Sequence, residues 1–586
     1  MRGPAAQQQP LTLTLSPEDR GEGTGPTREG TGPVSPADRG EGTGRGCGTE
    51  KGARRASGQL PGVIAVVIAV VSFLGAPVAR AGRGGSVADD TRRIEDMFDA
   101  WRFDEATTAL AGLARAQPGV PEVLYLEGYE RFLAGDYGAA VAKLKSASSR
   151  APQAAPIKEL GALAEAAGEA IKGHEERRSA HFVLRYPPED AVIADYALEA
   201  LESAIGALGS DLGFVPTRPI PVDIYRSPID LAAVSTLTAQ EVERTGTIAL
   251  CKWARLMATS PRALRFGYPW LDSLAHELTH YVVSSLTQDR APVWLQEGLA
   301  KFLERRWRRP AGPELPPSMQ HLLAKALGSG KLISFEAMHP SMAKLPHAED
   351  AALAFAEVAT AVGSLHARGG MPALRAAIAK VRQGVDARTA VAEAAGGNWA
   401  QFERGWRAFM AAQHYHTFPG LEANTRKFRK PAALASKRAP SEDEAVSGAD
   451  PGARFLRLGN MLLLRNRPKA ATIEYERGAR AAPTQWLFPV KLGRTYLAMG
   501  DPERALKAVS EVQGLYPELP WPNLIAGQAL LAKGEPRPAL VALEASLATN
   551  PFDPALHCAL ADAYQKLGDQ EPRRARAERN CRELMH

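Results

Sequence analysis

Pro483, Pro517 and Pro551 stand thirty-four residues apart, and that spacing limits the fold of this chain more than any other feature. Asn466, Gly500, Gly534 and Gly568 keep the same step. So do Ala471, Ala505 and Ala539, and the pairs Leu458-Gly459 and Leu492-Gly493. A period of this length holds one pair of helices per repeat, in which small residues let the helices approach and proline ends the second. No pair can bury its own apolar face, so the repeats must stack. Residues 451–586 therefore read as three repeats plus a terminal pair. Residues 88–172 show the step again: Phe103-Asp104-Glu105-Ala106 precedes Tyr137-Gly138-Ala139-Ala140 by thirty-four positions, as Leu110 precedes Leu144 and Pro118 precedes Pro152. About two repeats fit there.

This period is the signature of tetratricopeptide (TPR) repeats, whose stacked pairs form a concave groove for a peptide or another protein. Pure scaffolding is the other use of such an array. At 586 residues the chain is too long for one core and should form three or four domains. A hydrophobic share of 45% and a charged share of 23% are ordinary for globular protein. The net charge of +6 is small for this size and does not argue for nucleic acid, nor does any zinc-knuckle or base-stacking motif. Cys47, Cys251, Cys558 and Cys581 make neither a zinc finger nor a disulfide framework. Cys558 and Cys581 fall on adjacent predicted helices, where a disulfide in an oxidising compartment and simple burial of both thiols are both open.

Residues 1–60 cannot build a core. Gly, Pro, Thr and charge dominate, and Asp-Arg-Gly-Glu-Gly-Thr-Gly occurs at Asp19–Gly25 and again at Asp38–Gly44. Such composition predicts disorder; the other account is a later translation start. Residues 61–81 read as a secretory signal, with Arg54-Arg55 ahead, the apolar run Val63–Leu74, and Ala79-Arg80-Ala81 as the cleavage site. The competing reading is an uncleaved anchor through residues 62–79, eighteen residues without Asp, Glu, Lys or Arg that could just span a bilayer. Both readings export the remainder to the periplasm or cell envelope, secreted or held at the membrane.

From Ser179 the pattern changes. His181–Tyr186 alternates like a strand, Ala191–Leu212 has helical spacing, and Ile220–Tyr225 is a second strand. Thr247–Cys251 and Arg255–Thr259 read as further short strands. A largely buried helix should begin near Pro269-Trp270 and run to about Leu286. It carries Leu274-Ala275-His276-Glu277-Leu278-Thr279-His280-Tyr281. His276 and His280, four residues apart, share one helix face. Two imidazoles so placed can hold one zinc ion, with Glu277 able to reach a water there. A hydrolytic zinc site needs a third protein ligand and one open position. Glu297 is the candidate, in Trp294-Leu295-Gln296-Glu297-Gly298-Leu299-Ala300 on a second helix, Trp294–Glu304. That helix ends in Arg305-Arg306-Trp307-Arg308-Arg309, either a solvated helix end favoured by the macrodipole or a docking patch for acidic substrate or anionic envelope polymer. Helices follow at Met319–Leu327, Ala351–His366, Met371–Val381 and Trp399–Ala412. Residues 414–450 form a linker, basic first and acidic later.

The pair of motifs resembles the gluzincin metallopeptidases, the group of thermolysin and the zinc aminopeptidases. It is most similar to the peptidase MA-like domains of bacterial envelope proteins found beside TPR repeats. The resemblance covers about residues 178–413 and implies one zinc ion on His276, His280 and Glu297, with Glu277 as general base. It also implies that one of the strands Thr247–Cys251 and Arg255–Thr259 lies along the cleft. Two positions depart from the pattern: Gln296 where the aminopeptidases have Asn, and Lys301 where thermolysin has an Asp that orients a ligand histidine. The family would place an oxyanion-stabilising Tyr or His between residues 316 and 412, but Phe355 stands at the expected Tyr and only His339, His347 and His366 remain as substitutes. No Gly-x-Met-x-Asn-type motif points to aminopeptidase action. The expected fold is mainly α, with a small α+β zincin-like domain between TPR arrays. The expected function is an exported zinc metallopeptidase acting on protein or peptide. The alternative is a TPR interaction protein with an inactive zincin module.

Overall fold

The computed structural model describes residues 86–585, apart from residue 236 and the stretches 310–311, 313–314, 339–341, 343–344, 419–420, 422–427, 430–451 and 569–570. The segments expected to be disordered (1–60) and exported or anchored (61–81) lie outside these residues, as does most of the 414–450 linker. Among the described residues no helix is long and apolar enough to cross a membrane.

Five helices come first: α1 (Val87–Asp99), α2 (Phe103–Ala116), α3 (Pro121–Leu133), α4 (Tyr137–Arg150) and α5 (Ala155–Ala170). The step between Phe103 and Tyr137 is the distance between two equivalent helix starts. The Ser86 hydroxyl accepts from the Asp89 amide while the Asp89 carboxylate accepts from the Ser86 amide, a reciprocal cap that starts α1. Ile94, Phe98, Ala106 and Leu110 recur at helical spacing on the buried face.

The middle of the chain adds β1 (Glu175–Arg178), β2 (Phe182–Tyr186), α6 (Ala191–Leu212), β3 (Ile220–Tyr225), α7 (Pro228–Ala233), α8 (Ala239–Thr245), β4 (Ala249–Lys252) and β5 (Arg255–Thr259). The strands form one sheet in the order β1-β2-β3-β5-β4. β2, β3 and β5 run parallel, with Leu184 opposite Val222 and Ile224 opposite Ala258. β4 is antiparallel to β5 and forms one edge of the sheet, so of the two strands expected to be cleft candidates β4 is the edge strand. β1 is four charged residues with no alternation, and only its antiparallel pairing with β2 defines it.

Five helices follow in this region, α9 (Trp270–Thr287), α10 (Val293–Leu303), α11 (Pro317–Ser329), α12 (Ala348–Arg382) and α13 (Ala387–Ala394), and then α14 (Trp399–Ala412) closes it. The two helices expected at Ala351–His366 and Met371–Val381 are the halves of α12, which bends at Gly370 (φ 60°, ψ −159°). A β-carbon at Gly298 would stand 2.8 Å from the Val358 carbonyl oxygen, so glycine is what lets α10 lie against α12.

Four helix pairs end the chain: α15 (Ala453–Leu464) with α16 (Pro468–Ala481), α17 (Leu487–Ala498) with α18 (Pro502–Leu515), α19 (Pro520–Ala532) with α20 (Pro536–Leu547), and α21 (Pro554–Leu567) with α22 (Glu571–Met585). Pro483, Pro517 and Pro551 each follow the second helix of a pair. Cys558 and Cys581 form a disulfide between α21 and α22, which closes the alternative left open by the sequence.

One buried apolar core runs through all three regions. It joins Ile94 and Phe98 of the first array to Leu184 and Val222 of the sheet, Leu274 and Leu278 of α9, and Leu543, Phe552 and Leu556 of the last array. The repeats are thus fused to the central domain through shared packing.

Candidate metal site

α9 and α10 place the three expected ligands together. His276 Nε2 lies 3.1 Å from His280 Nε2 and 3.2 Å from Glu297 Oε2. The third edge, His280 Nε2 to Glu297 Oε2, is 3.4 Å. Atoms bound at about 2.0–2.1 Å to a tetrahedral zinc ion stand about 3.3 Å apart, so the triangle already has the dimensions of three tetrahedral corners. The His276 side chain is fully buried, while those of His280 and Glu297 are 14% and 13% exposed. The triangle therefore reaches solvent on the side of His280 and Glu297.

Hydrogen bonds behind the ligands fix which atoms face inward. His276 Nδ1 donates to Glu304 Oε2 at 3.0 Å, leaving the Nε2 lone pair pointed at the triangle. Glu304 is fully buried, and its other oxygen accepts from buried Lys301 Nζ at 2.9 Å. His280 Nδ1 donates to Gln296 Oε1 at 3.3 Å, and Gln296 Nε2 donates to Ser284 Oγ at 3.0 Å. Both departures from the gluzincin pattern thus take part in holding the histidines. Two imidazole lone pairs facing each other at 3.1 Å repel unless a positive charge lies between them. A divalent cation meets that need, and two nitrogens with one carboxylate oxygen suit zinc. Among the described residues this is the one His/Cys/Asp/Glu group with ligand atoms close enough to hold a metal ion.

Charge follows the same layout. Burial raises the Glu297 carboxyl, but His280 and His276 outweigh it and hold the group well below the carboxylate range. Burial lowers the His276 imidazole, but hydrogen bonds to Glu297 and Glu304 raise it by more, for a net upward shift. Glu277 is fully buried, and neither carboxylate oxygen takes a hydrogen bond of ordinary geometry. Burial pushes its pKa up to about 8, with the His280 charge and the nearby Cys251 amide acting in the opposite sense. Cys251 belongs to edge strand β4, so the strand and Glu277 adjoin.

The Arg305–Arg309 run is neither a solvated end nor a free docking patch. Arg305 and Arg308 ion-pair with Asp272 in the first turn of α9, Trp307 Nε1 donates to the same carboxylate at 3.1 Å, and Arg306 takes Asp211 in two hydrogen bonds. The Asp272 pairs tie the segment after α10 to the start of α9, and the Asp211 pair ties it to the end of α6. Of the oxyanion candidates, His339 lies outside the described residues, His347 stands at the α12 N-terminus, and His366 packs on Phe302 at 5.0 Å. Phe355 is buried in the core. Glu304 escaped the sequence reading, although its spacing was visible: Glu297, Lys301 and Glu304 stand at i, i+4 and i+7 on one helix face.

Residues 200–412 match the family model of the Peptidase MA superfamily. The chain carries a peptidase MA superfamily domain. No curated protein matches the chain. Among solved structures it is similar to TTC0263, a thermophilic TPR protein of Thermus thermophilus, at 24% identity over 23% of this chain and 74% of that one, with a TM-score of 0.21. It is also similar to the APC/C hetero-tetramer Cut9-Hcn1, at 12% identity over 85% of this chain and 80% of that one, TM-score 0.24. A third likeness is to the P58(IPK) TPR domain, at 12% identity over 82% of this chain and 98% of that one, TM-score 0.19. In the peptidase MA domain, the helix pair α9 and α10 carries the candidate ligands.

Proposed function

We propose that the protein is an exported zinc metallopeptidase that hydrolyses peptide bonds, with TPR arrays that hold substrate or partner proteins. The observation that carries this reading is the triangle of His276, His280 and Glu297, edged by 3.1, 3.2 and 3.4 Å, beside a buried Glu277 whose oxygens take no hydrogen bond of ordinary geometry. A site kept only for stability has no use for that carboxylate. Zinc held there supplies Lewis acidity, lowering the pKa of a water to about 7 and polarising a scissile carbonyl.

The chain's own residues divide the remaining work. Glu277 takes a proton from the attacking water onto a carboxylate oxygen as the water oxygen joins the carbonyl carbon. The same proton then passes to the leaving nitrogen as the carbon–nitrogen bond breaks. Glu304 and Gln296 hold the imidazole Nδ1–H groups, so both rings keep their Nε2 atoms inward. Edge strand β4, unpaired on its outer side by any named strand among the described residues, offers backbone groups to an extended substrate. Export is supported by the apolar run at residues 62–79 and by the Cys558–Cys581 disulfide, since such bonds persist in oxidising compartments.

Glu277→Gln tests the assignment. The variant should bind zinc and unfold like the wild type while losing peptide cleavage by at least about a hundredfold. Cleavage by both proteins at the same rate would remove Glu277 from the reaction. A zinc-loaded wild type that cleaves nothing in a broad peptide library would favour the interaction-protein reading instead.

A further inference from the structure

The last array touches the peptidase MA domain where the metal helix begins. Residues 260–269 form a strap from the end of β5 to the start of α9. Phe266 sets its ring edge-on to Trp486 and Trp521, at 5.4 and 5.5 Å, and those two indoles stack at 5.6 Å. Gly267 has φ +72°, and a β-carbon there would collide with the Thr549 carbonyl oxygen. The strap can lie this close only because residue 267 has no side chain.

Backbone polarity makes the contact specific. A helix leaves its first N–H groups and its last carbonyls without partners of its own. α9 starts at Pro269-Trp270 with no side-chain cap. Its first amide, Trp270 N, is shared between Tyr268 O at 2.6 Å, within the strap, and Ala548 O at 3.1 Å, at the end of α20. Tyr268 N donates to Thr549 O at 3.1 Å, and the Trp270 indole donates to Leu547 O at 3.0 Å. Donors at one helix start therefore meet acceptors at another helix end, with the helix dipoles in favourable order. Trp270 is 1% exposed, and His276 lies less than two turns further along the same helix.

We propose that the C-terminal repeats act within their own chain as the seat of the metal helix, with Phe266, Gly267 and Trp270 as positioning residues for His276 and His280. This rests on the reading of those histidines as ligands, yet the seating itself can be measured without metal. The final array is then a working part of the peptidase MA domain as well as a surface for partners. An isolated fragment ending near residue 412 keeps the whole family match but loses the seat.

The test compares the full chain with Phe266→Ala, Gly267→Ala and the conservative Phe266→Leu. Hydrogen–deuterium exchange is followed in zinc-free protein, and zinc affinity is measured by competition with a chromophoric chelator. Both alanine variants should speed exchange in the first half of α9 by about tenfold or more while β2, β3 and α12 keep their protection. Zinc affinity should fall by about tenfold, and Phe266→Leu should recover most of both effects. Unchanged α9 exchange, or equal loosening of every element, overturns the proposal. So does faster α9 exchange with wild-type zinc affinity. A wild type that takes up no zinc overturns the ligand reading alone, and the exchange comparison then still decides whether the repeats seat α9.

Discussion

Glu304→Gln is a one-atom change with a consequence that follows from the donors around it. Glu304 offers two acceptor oxygens to two donors, His276 Nδ1–H at 3.0 Å and Lys301 Nζ at 2.9 Å, in a place where all three side chains are fully buried. Glutamine keeps one acceptor and turns the other into a donor. Either Lys301 or His276 then faces an N–H group. A buried donor robbed of its acceptor costs about 1–3 kcal/mol. If His276 loses its acceptor, its ring orientation loosens, and loss of such a partner typically lowers metal affinity by about 10–100-fold. That range is about 1.4–2.8 kcal/mol of binding. Chelator competition reads the affinity, and urea unfolding of the zinc-free chain reads the stability. Lys301→Met added to Glu304→Gln removes the second donor, so the amide oxygen can turn to His276. The double variant should recover most of the lost zinc affinity. Wild-type affinity in Glu304→Gln would contradict this role for Glu304, as would a double variant weaker than the single one.

Two further predictions concern the last array. Burial holds the His557 imidazole down at about 4, with Arg576 adding to the effect and the hydrogen bond to Pro551 O opposing it. A depressed pKa means the unfolded chain binds the proton first, so this stability is complete above about 6.5 and is lost as pH falls through about 4. The loss amounts to about 3 kcal/mol, and His557→Gln should flatten that part of the stability-against-pH curve; an unchanged curve would count against the assignment. The Cys558–Cys581 bond spans 23 residues, a loop worth about 3 kcal/mol in unfolded-chain entropy. Cys558→Ser should lower the unfolding midpoint of the wild type to that of the reduced protein, whereas a midpoint insensitive to both changes would show that the bond does not form.

How far the fold could be read depended on the range of the interaction. Helices with strong apolar spacing fell almost where expected: Ala191–Leu212 and Trp399–Ala412 match, and α9 ends one residue past the expected Leu286. The convergence of His276, His280 and Glu297 was legible because imidazoles four apart and a carboxylate on the next helix obey local geometry. β1 was hidden because Glu175–Arg178 owes its form to a neighbour and not to its own pattern. Arg305 and Arg308 were misjudged for a similar reason: a basic run at a helix end gives no sign that Asp272, more than thirty residues earlier, will neutralise it. The docking of Trp270 on Leu547 joins residues 277 apart in sequence, a distance over which periodicity carries no information.

Three side chains, His276, His280 and Glu297, are proposed to share one divalent ion. Metal analysis of the full chain, with X-ray absorption at the zinc edge, tests it directly. We expect one zinc per chain, a shell of two imidazole nitrogens and oxygen at about 2.0–2.1 Å, and loss of the ion in His276→Ala, His280→Ala and Glu297→Ala alike. A wild type that binds no zinc, or a zinc retained at full affinity by all three variants, would contradict it.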